Sequence, residues 1–419
     1  MSNTNVVIDM VAKEALRIAH EKATFIGTCD RQYDETFVSK GAGNIGSTLR
    51  VRNPNRYTRR QGSRVMVVQD QQEDSQTITM ATQDGVDMRF NSAELVTDLD
   101  GFNEFSKRHI QPAIGVLMSG IDGDCLATAA KQTYNLVGTA GTAVGAVTSG
   151  FSDTSALGLA RAKLNQGLAP KDGGRSCQFD SVTMANVTNG IKGLFLPSDQ
   201  IGEAFREGFI ARTAMADFYE NEKTWIQACG SDHTTVTLAT THLAADGANT
   251  LTIVNGVGTV GDVFTVAGVY ACHPETKAAY PHLQQFTVLT VVGSVAFTVS
   301  PTLYFGTTAT TAAKQNICTA AGAKVTTATF DSNPVVTMVG ADSAVLRQNL
   351  MYHKEAFAFV TADLPLMDDA LKCSRVQKDG FSLRVWMASD IRNDEMLLRC
   401  DILYGFKVLR PEWSCRITN

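Results

Sequence analysis

Two glycine fingerprints, a Cys/His loop and two pairs of aspartates are the residues whose types and spacing could do chemistry in this chain. Gly41-Ala-Gly43-Asn-Ile-Gly46 and Gly256-Val-Gly258-Thr-Val-Gly261 both spell GxGxxG, the pattern that cradles a dinucleotide pyrophosphate. That chemistry needs a strand entering the glycines and a helix leaving them, because the helix N-terminus holds the phosphates. Here Ser47-Thr-Leu-Arg-Val-Arg52 and Pro54 follow the first motif, and "DVFTVAG" follows the second. Both continuations alternate as strands, so the glycines read as turn residues that supply positive φ. "ACHPETKAAYPH" gathers Cys272, His273 and His282 in one loop, but without the paired spacing of a zinc site. Incidental ligand types on an exposed loop are the expectation there. In "VTDLDGFNEFSK", Asp98, Asp100 and Gly101 resemble part of a calcium loop. Val96 stands at its first ligand position and Lys107 where a glutamate should close the cage, so no calcium is expected. Asp122 and Asp124 could act as an acid–base pair, yet helical spacing sends them to different faces, and solvated charges are expected. His353, beside Met351 and Tyr352, is expected to be a packed, hydrogen-bonded residue of a helix. GxSxG, HExxH and P-loop patterns are absent. No catalytic, cofactor-binding or metal residue is assigned.

Charge gives a more informative pattern. Arg50, Arg52, Arg56, Arg59, Arg60 and Arg64, with Tyr57, come without an acid among them. Asp70, Glu73, Asp74, Asp84 and Asp87 then follow without a base. A basic run with an aromatic could touch nucleic acid, but acids arriving so soon favour a protein partner. The segment 47–92 alternates as "STLRVR", "RVMVV", "QTITMAT" and "VDMRF", strands of an extended arm. A two-stranded arm is not stable alone in water and must lie on another surface. Arg50, Arg52, Arg56, Tyr57, Arg59, Arg60, Arg64, Asp70, Glu73 and Asp74 are therefore the candidate subunit-interface residues.

The elements around this arm define an α+β chain. "MSNTNVVIDMVAKEALRIAHEK" is amphipathic, with Val7, Val11, Ala15 and Ile18 on one face, and does not have the form of a signal peptide. Residues 100–133 carry Ile110, Ile114, Leu117, Ile121 and Cys125 at helical spacing, with Asp100 as N-cap and Pro112 kinking or restarting the helix. "SALGLARAKLNQG" and "DQIGEAFREGFIARTAMADFYENEK" read as further helices. Between residues 231 and 330 the character changes: 22 threonines and only seven charged side chains, in short alternating strands with Gly, Asn and Pro punctuation. That is an all-β module of barrel or sandwich type, inserted in an α+β platform that resumes with "SAVLRQNLMYHKEAFAFVTADL" and ends in strands. The net charge of −5 argues against a dedicated nucleic-acid binder. Nine scattered cysteines without CxxC suit a reducing cytoplasm, and no stretch approaches the ~18 apolar residues of a membrane span.

An arm, a long helix, a platform and an inserted module without an active site suggest a building block. "NEFSKRHIQPAIGVLMSGID", "YNLVGTAGT", "GDVFTVAGVYACHPETKAAYPHLQQFTV", "QNLMYHKEAFAF" and "LRCDILYGFKVLRPE" carry a resemblance. In the same order over nearly the whole chain, they resemble the phage P-twenty-two-type major capsid (coat) proteins. The resemblance implies the Hong Kong 97 capsid fold with an inserted all-β barrel-like domain. The N-terminal arm would be 1–46, the extended β-hairpin (E-loop) 47–92, and the peripheral domain with its spine helix 93–136. The axial domain would be 137–222, the insertion 223–334, and axial and peripheral parts 335–419. It implies self-assembly through hexamers and pentamers into an icosahedral shell around double-stranded DNA, in a virion assembled in the host cytoplasm. Scaffolding and portal proteins are implied partners, DNA is held without sequence-specific binding, and no membrane or cofactor is involved. The threonine-rich insertion departs from its relatives, so their charged contacts do not carry over, and no isopeptide crosslink is expected. The rival reading is a secreted or surface β-rich adhesin.

Overall fold

The computed structural model describes residues 4–31, 48–60, 62, 64–66, 68–69, 73–91, 106–140, 155–191, 216–238, 246–293, 296–325, 335–367, 372–378 and 381–418. The chain divides into two units: Met1–Val51, Gln76–Cys125 and Phe357–Lys407 form one, and Arg52–Ser75, Leu126–Ala356 and Val408–Asn419 form the other.

The first unit is built on a five-stranded sheet. Strand Glu395–Val408 lies at its centre, pairing with Phe357–Ala362, Phe381–Asp390 and Thr82–Asn91, while Lys372–Lys378 pairs with Phe381–Asp390. The N-terminal helix Thr4–Lys22 packs on strands Lys372–Lys378 and Phe381–Asp390 and buries Val11, Ala15 and Ile18. Its amphipathic reading holds at those positions. Phe25, Phe357 and Phe406 meet at centroid distances of 5.7–6.0 Å.

The long helix Gln111–Gln132 follows a π-helical turn, Ser106–Ile110. Pro112 therefore lies where the π-helical turn passes into the α-helix, and the wider turn before it accommodates the interrupted hydrogen-bond ladder. Ile110, Ile114, Leu117, Ile121 and Cys125 are all buried, as their spacing requires. By length and hydropathy alone the segment Arg108–Gln132 would suffice to cross a membrane, contrary to the reading from apolar runs, and half of it is buried inside the protein. Asp122 corrects the sequence reading. It is fully buried, and its Oδ1 accepts the N–H groups of Phe25 and Ile26, each at 3.0 Å, while Oδ2 accepts the Thr24 hydroxyl at 3.1 Å. An acid on the inner face persists because it answers the backbone donors of two buried residues, Phe25 and Ile26, at the start of the turn Ile26–Thr28. Asp124 is exposed as expected.

The second unit contains two sheets. In the first, the order is Leu136–Val137, Ser414–Thr418, Val345–His353, Arg175–Phe179 and Asp217–Glu220, with Ile226–Ala228 also pairing on Val345–His353. The outer pairs, Ser414–Thr418 with Leu136–Val137 and Arg175–Phe179 with Asp217–Glu220, are parallel. Helices Ser155–Gln166 and Ser181–Ile191 supply Leu157, Ala160, Leu164, Met184 and Val187 to its core. "VLRQNLMYH" is therefore a central strand and not a helix. Most of it is buried and it has strands on both sides, so it shows none of the alternation that marks a half-buried strand. His353 lies at its end, fully buried, with Nε2 2.9 Å from Asp172 Oδ1, so the packed reading holds in a strand. Asp217–Glu220 is likewise a strand where a helix is expected; residues 199–215 of that predicted helix lie outside the described residues.

In the second sheet the strands run Ile317–Cys318, Val263–Cys272, Ala279–Val292, Ala296–Leu303, Ala248–Val257 and Asp232–Leu238, with Val336–Met338 also on Val263–Cys272. A bridge from Thr237 to Val335 brings the end strand Asp232–Leu238 back to the segment Val335–Met338, which closes the sheet on itself. Phe264, Phe286, Phe297, Val288, Leu251 and Ile253 fill its interior. The second glycine fingerprint joins strands Ala248–Val257 and Val263–Cys272, with Gly256 and Gly261 both at φ +96°. It is a turn between strands, as its context predicts. The first fingerprint, the Asp98–Asp100–Gly101 segment and the Asp100 cap lie outside the described residues.

Candidate functional site

Strands Thr48–Arg52 and Ser75–Thr79 pair to form the base of the arm, and the Asn53 N–H donates to the Asp74 carbonyl at 2.8 Å. The alternation of β-branched and charged residues puts Arg50 and Arg52 on the exposed face of the first strand and Leu49 and Val51 on the half-buried one. Beyond the base, residues 53–60 belong to no strand. The Gln69 side-chain amide ties the two legs together, donating to the Thr58 carbonyl at 2.6 Å and accepting the Thr58 N–H at 2.8 Å. Arg60 donates to the carbonyl of Val65.

Residues 64–66 and 68 are not a strand, against the reading of "RVMVV". No described strand lies alongside to take its backbone groups, so β-branched residues alone do not fix one there. Val65, Met66 and Val68 are instead 74%, 75% and 75% exposed. The sequence reading missed them as surface residues; their signal is an apolar run attached to Arg64 with no complementary run in the same arm.

Of the ten candidate interface residues, several have partners within the chain. Arg52 lies 3.2 Å from Glu73, Arg56 lies 3.6 Å from Glu412, and Lys314 lies 2.7 Å from Asp74. Arg50, Tyr57, Arg59, Arg60 and Arg64 are exposed, and Asp70 lies outside the described residues. Exposed or half-exposed pairs of this kind contribute about 0.2–1 kcal/mol each, so they orient the arm more than they stabilise it. An exposed apolar end ringed by cations is chemistry for contact with another protein surface.

The Cys/His loop forms no group of three ligands among the described residues. His273 Nδ1 accepts the N–H groups of Glu275 and Thr276 at 3.1 and 3.2 Å, and Cys272 is buried. His282 stacks on Tyr280 at 5.3 Å, and burial, with the Lys163 charge, lowers its pKa to about 4. All nine cysteines are unpaired thiols.

The family described as "P22 coat protein - gene protein 5" matches residues 78–415, and the chain belongs to that family. It is a phage coat protein, the major capsid protein whose copies associate to form the icosahedral shell of the virion. No curated protein matches the sequence. Among solved structures the chain is similar to one titled "Mycobacterium phage Che8", with 10% identity, 94% of this chain and 90% of that one covered, and a TM-score of 0.49. The capsid structure of cyanophage P-SCSP1u shares 12% identity over 91% of this chain and 85% of that one, with a TM-score of 0.43. The mature capsid of bacteriophage PhiM1 shares 12% identity over 89% and 82%, with a TM-score of 0.42. The family match replaces the adhesin reading.

Proposed function

We propose that this coat protein has the Hong Kong 97-type capsid fold with an inserted β-barrel, and that segment 47–92 is the extended loop that lies across a neighbouring subunit. The observation that carries the second part is the three-quarters exposure of Val65, Met66 and Val68 at the end of a cationic arm. An isolated subunit gains nothing from holding such a group in water, whereas burial against another copy stabilises contact by roughly 25 cal/mol per Å² of apolar area. In this reading 1–46 is the N-terminal arm and 93–136 holds the spine helix. Residues 137–222 and parts of 335–419 form the axial domain, and 223–334 form the insertion. The closed sheet of strands between Asp232 and Met338 supports the insertion reading, since its neighbours in the other sheet come from both before and after it. The protein acts structurally and not as an enzyme. It assembles in the host cytoplasm with scaffolding and portal proteins, into hexamers and pentamers, around DNA that it does not read.

Reversing Arg56, Arg59 and Arg60 to Glu tests the arm. Thermal unfolding of the unassembled subunit should change little, because the arm adds little to any core. Sedimentation should show failed assembly, or assembly that depends strongly on salt through screening. Normal shells from the triple variant at both low and high salt would overturn the reading.

A further inference from the structure

Outside its two-stranded base the arm has no described strand to fix its direction. Segment Arg52–Ser75 groups with the second unit, and its two legs meet different parts of that unit. On the returning leg, Lys314 Nζ, from the barrel, lies 2.7 Å from each carboxylate oxygen of Asp74. On the outgoing leg, Arg56 lies 3.6 Å from Glu412.

Both mounts are braced. Lys314 follows the short helix Ala309–Ala312, which is capped by reciprocal bonds between Thr308 and Thr311, and its N–H donates to the Thr311 carbonyl at 2.9 Å. The residues on either side of it are clamped from another loop of the barrel: Lys277 Nζ donates to the Ala313 carbonyl at 2.7 Å and to the Gln315 carbonyl at 3.1 Å. The Lys314 side chain is only 18% exposed, with Nζ 5.7 Å from the centre of the Tyr304 ring. Glu412 lies in the turn Pro411–Trp413. There the Trp413 indole N–H donates to the Gly167 carbonyl at 2.9 Å, and its ring stands edge-on to buried His353 at 5.6 Å.

We infer that Lys314 is a positioning residue for assembly: from the inserted barrel it holds the arm of its own chain in the direction that reaches a neighbouring copy. This rests on the reading of segment 47–92 as an arm that crosses to that copy. An exposed lysine gains little from a surface acid, because ordering its long side chain offsets the attraction. Lys314 is packed and its flanking carbonyls are fixed, so folding of the barrel orders it before Asp74 arrives. Asp74 in turn accepts the Asn53 N–H at its carbonyl, 2.8 Å away, so the contact acts on both legs where the base ends. Together with Arg56 and Glu412 it gives the arm two fixed points, which remove the swing that a single hinge at the base would leave. A subunit whose arm is aimed for only part of the time loses that fraction of productive encounters with every neighbour.

The experiment uses the full-length chain. Lys314→Glu and Asp74→Lys are made singly, together in one chain, and as two singly altered chains coexpressed. Three quantities are read: thermal unfolding of the unassembled subunit, amide exchange of the peptide containing Asn53, and sedimentation of assembled particles. Reversal replaces an attraction with a repulsion of similar size, so each single variant should speed exchange by about two- to thirtyfold. Unfolding should stay at the wild-type temperature, and normal shells should be lost. Both changes in one chain should restore exchange and shells. The coexpressed pair should not, because every chain then keeps a mismatched arm. Coexpression that restores shells as fully as the double variant overturns the inference, since the contact is then made between neighbours. Exchange unmoved by both single variants overturns the positioning alone. Exchange that moves while shells stay normal overturns the reading of the arm on which it rests.

Discussion

Replacing Asp122 with Ala should destabilise the first unit by about 2–6 kcal/mol. The figure comes from the turn it caps. Phe25 and Ile26 are fully buried, and both N–H groups lose their carboxylate acceptor. A buried donor deprived of its partner costs about 1–3 kcal/mol, and two are affected. Thr24 is half-buried, so its hydroxyl turns to water at little cost. Asp122→Asn is the informative control. Both backbone donors use the same oxygen, Oδ1, so an amide oxygen placed there retains both bonds and loses only their ionic strengthening, about 1 kcal/mol. Against a typical domain stability of about 5–15 kcal/mol, the Ala variant should be cold-tolerant but fold poorly at higher temperature, and the Asn variant should be nearly normal. Urea unfolding of the unassembled subunit, followed through Trp386 with Trp225 and Trp413 replaced by Phe, isolates this unit. If Ala and Asn both fall within about 1 kcal/mol of wild type, the capping argument is wrong.

Three further outcomes rest on side-chain geometry. The Arg384–Asp401 pair, 2.6 Å apart with both side chains buried, should lose about 3–5 kcal/mol when Asp401 alone becomes Ala; Arg384→Met with Asp401→Leu should recover most of it in the same urea assay. Gly261→Ala should destabilise the barrel by at least about 2 kcal/mol, because φ is +96° and the new methyl would stand 2.4 Å from the Trp225 ring; Trp225 fluorescence reads the loss. Asp172 has its pKa lowered to about 2 by the Gly174 N–H and by His353, so its contribution is present above 3.8 and is lost as pH falls towards 2. Melting curves between pH 4 and pH 2 should show that component in the wild type and not in Asp172→Asn.

What the sequence revealed depended on how much of each element's surroundings was local. The helix 111–132 was legible because its apolar stripe packs on one side only, and the barrel because its strands alternate and its turns carry glycine. Val345–His353 misled because its burial erases periodicity, and a run such as "LMYHKEAF" then fits a helix equally well. Asp122 was unreadable for a different reason: its donors lie 96 to 98 residues away in sequence. In the arm, the charge split was visible but its use was not. Arg56 reaches Glu412 and Asp74 meets Lys314, partners that no local pattern announces. The exposed Val65, Met66 and Val68 read as a strand because their β-propensity outweighed the missing complementary run in the arm.

The strand Ser414–Thr418 fits between Val345–His353 and Leu136–Val137, and the Asn135 side chain is bonded to the Ser414 carbonyl across 279 residues. On the ribosome, then, this sheet stays incomplete until residue 418 has emerged, on the order of tens of seconds after Leu136 at ~5–20 residues per second. The barrel has all its strands by Met338 and can close well before that. From Met338 to Thr418 the nascent subunit is thus a finished barrel attached to a sheet in which strand Val345–His353 still has an unpaired edge. That interval is when the chain is most exposed to aggregation and most in need of a chaperone, and a ribosome pausing between codons 353 and 414 would prolong it.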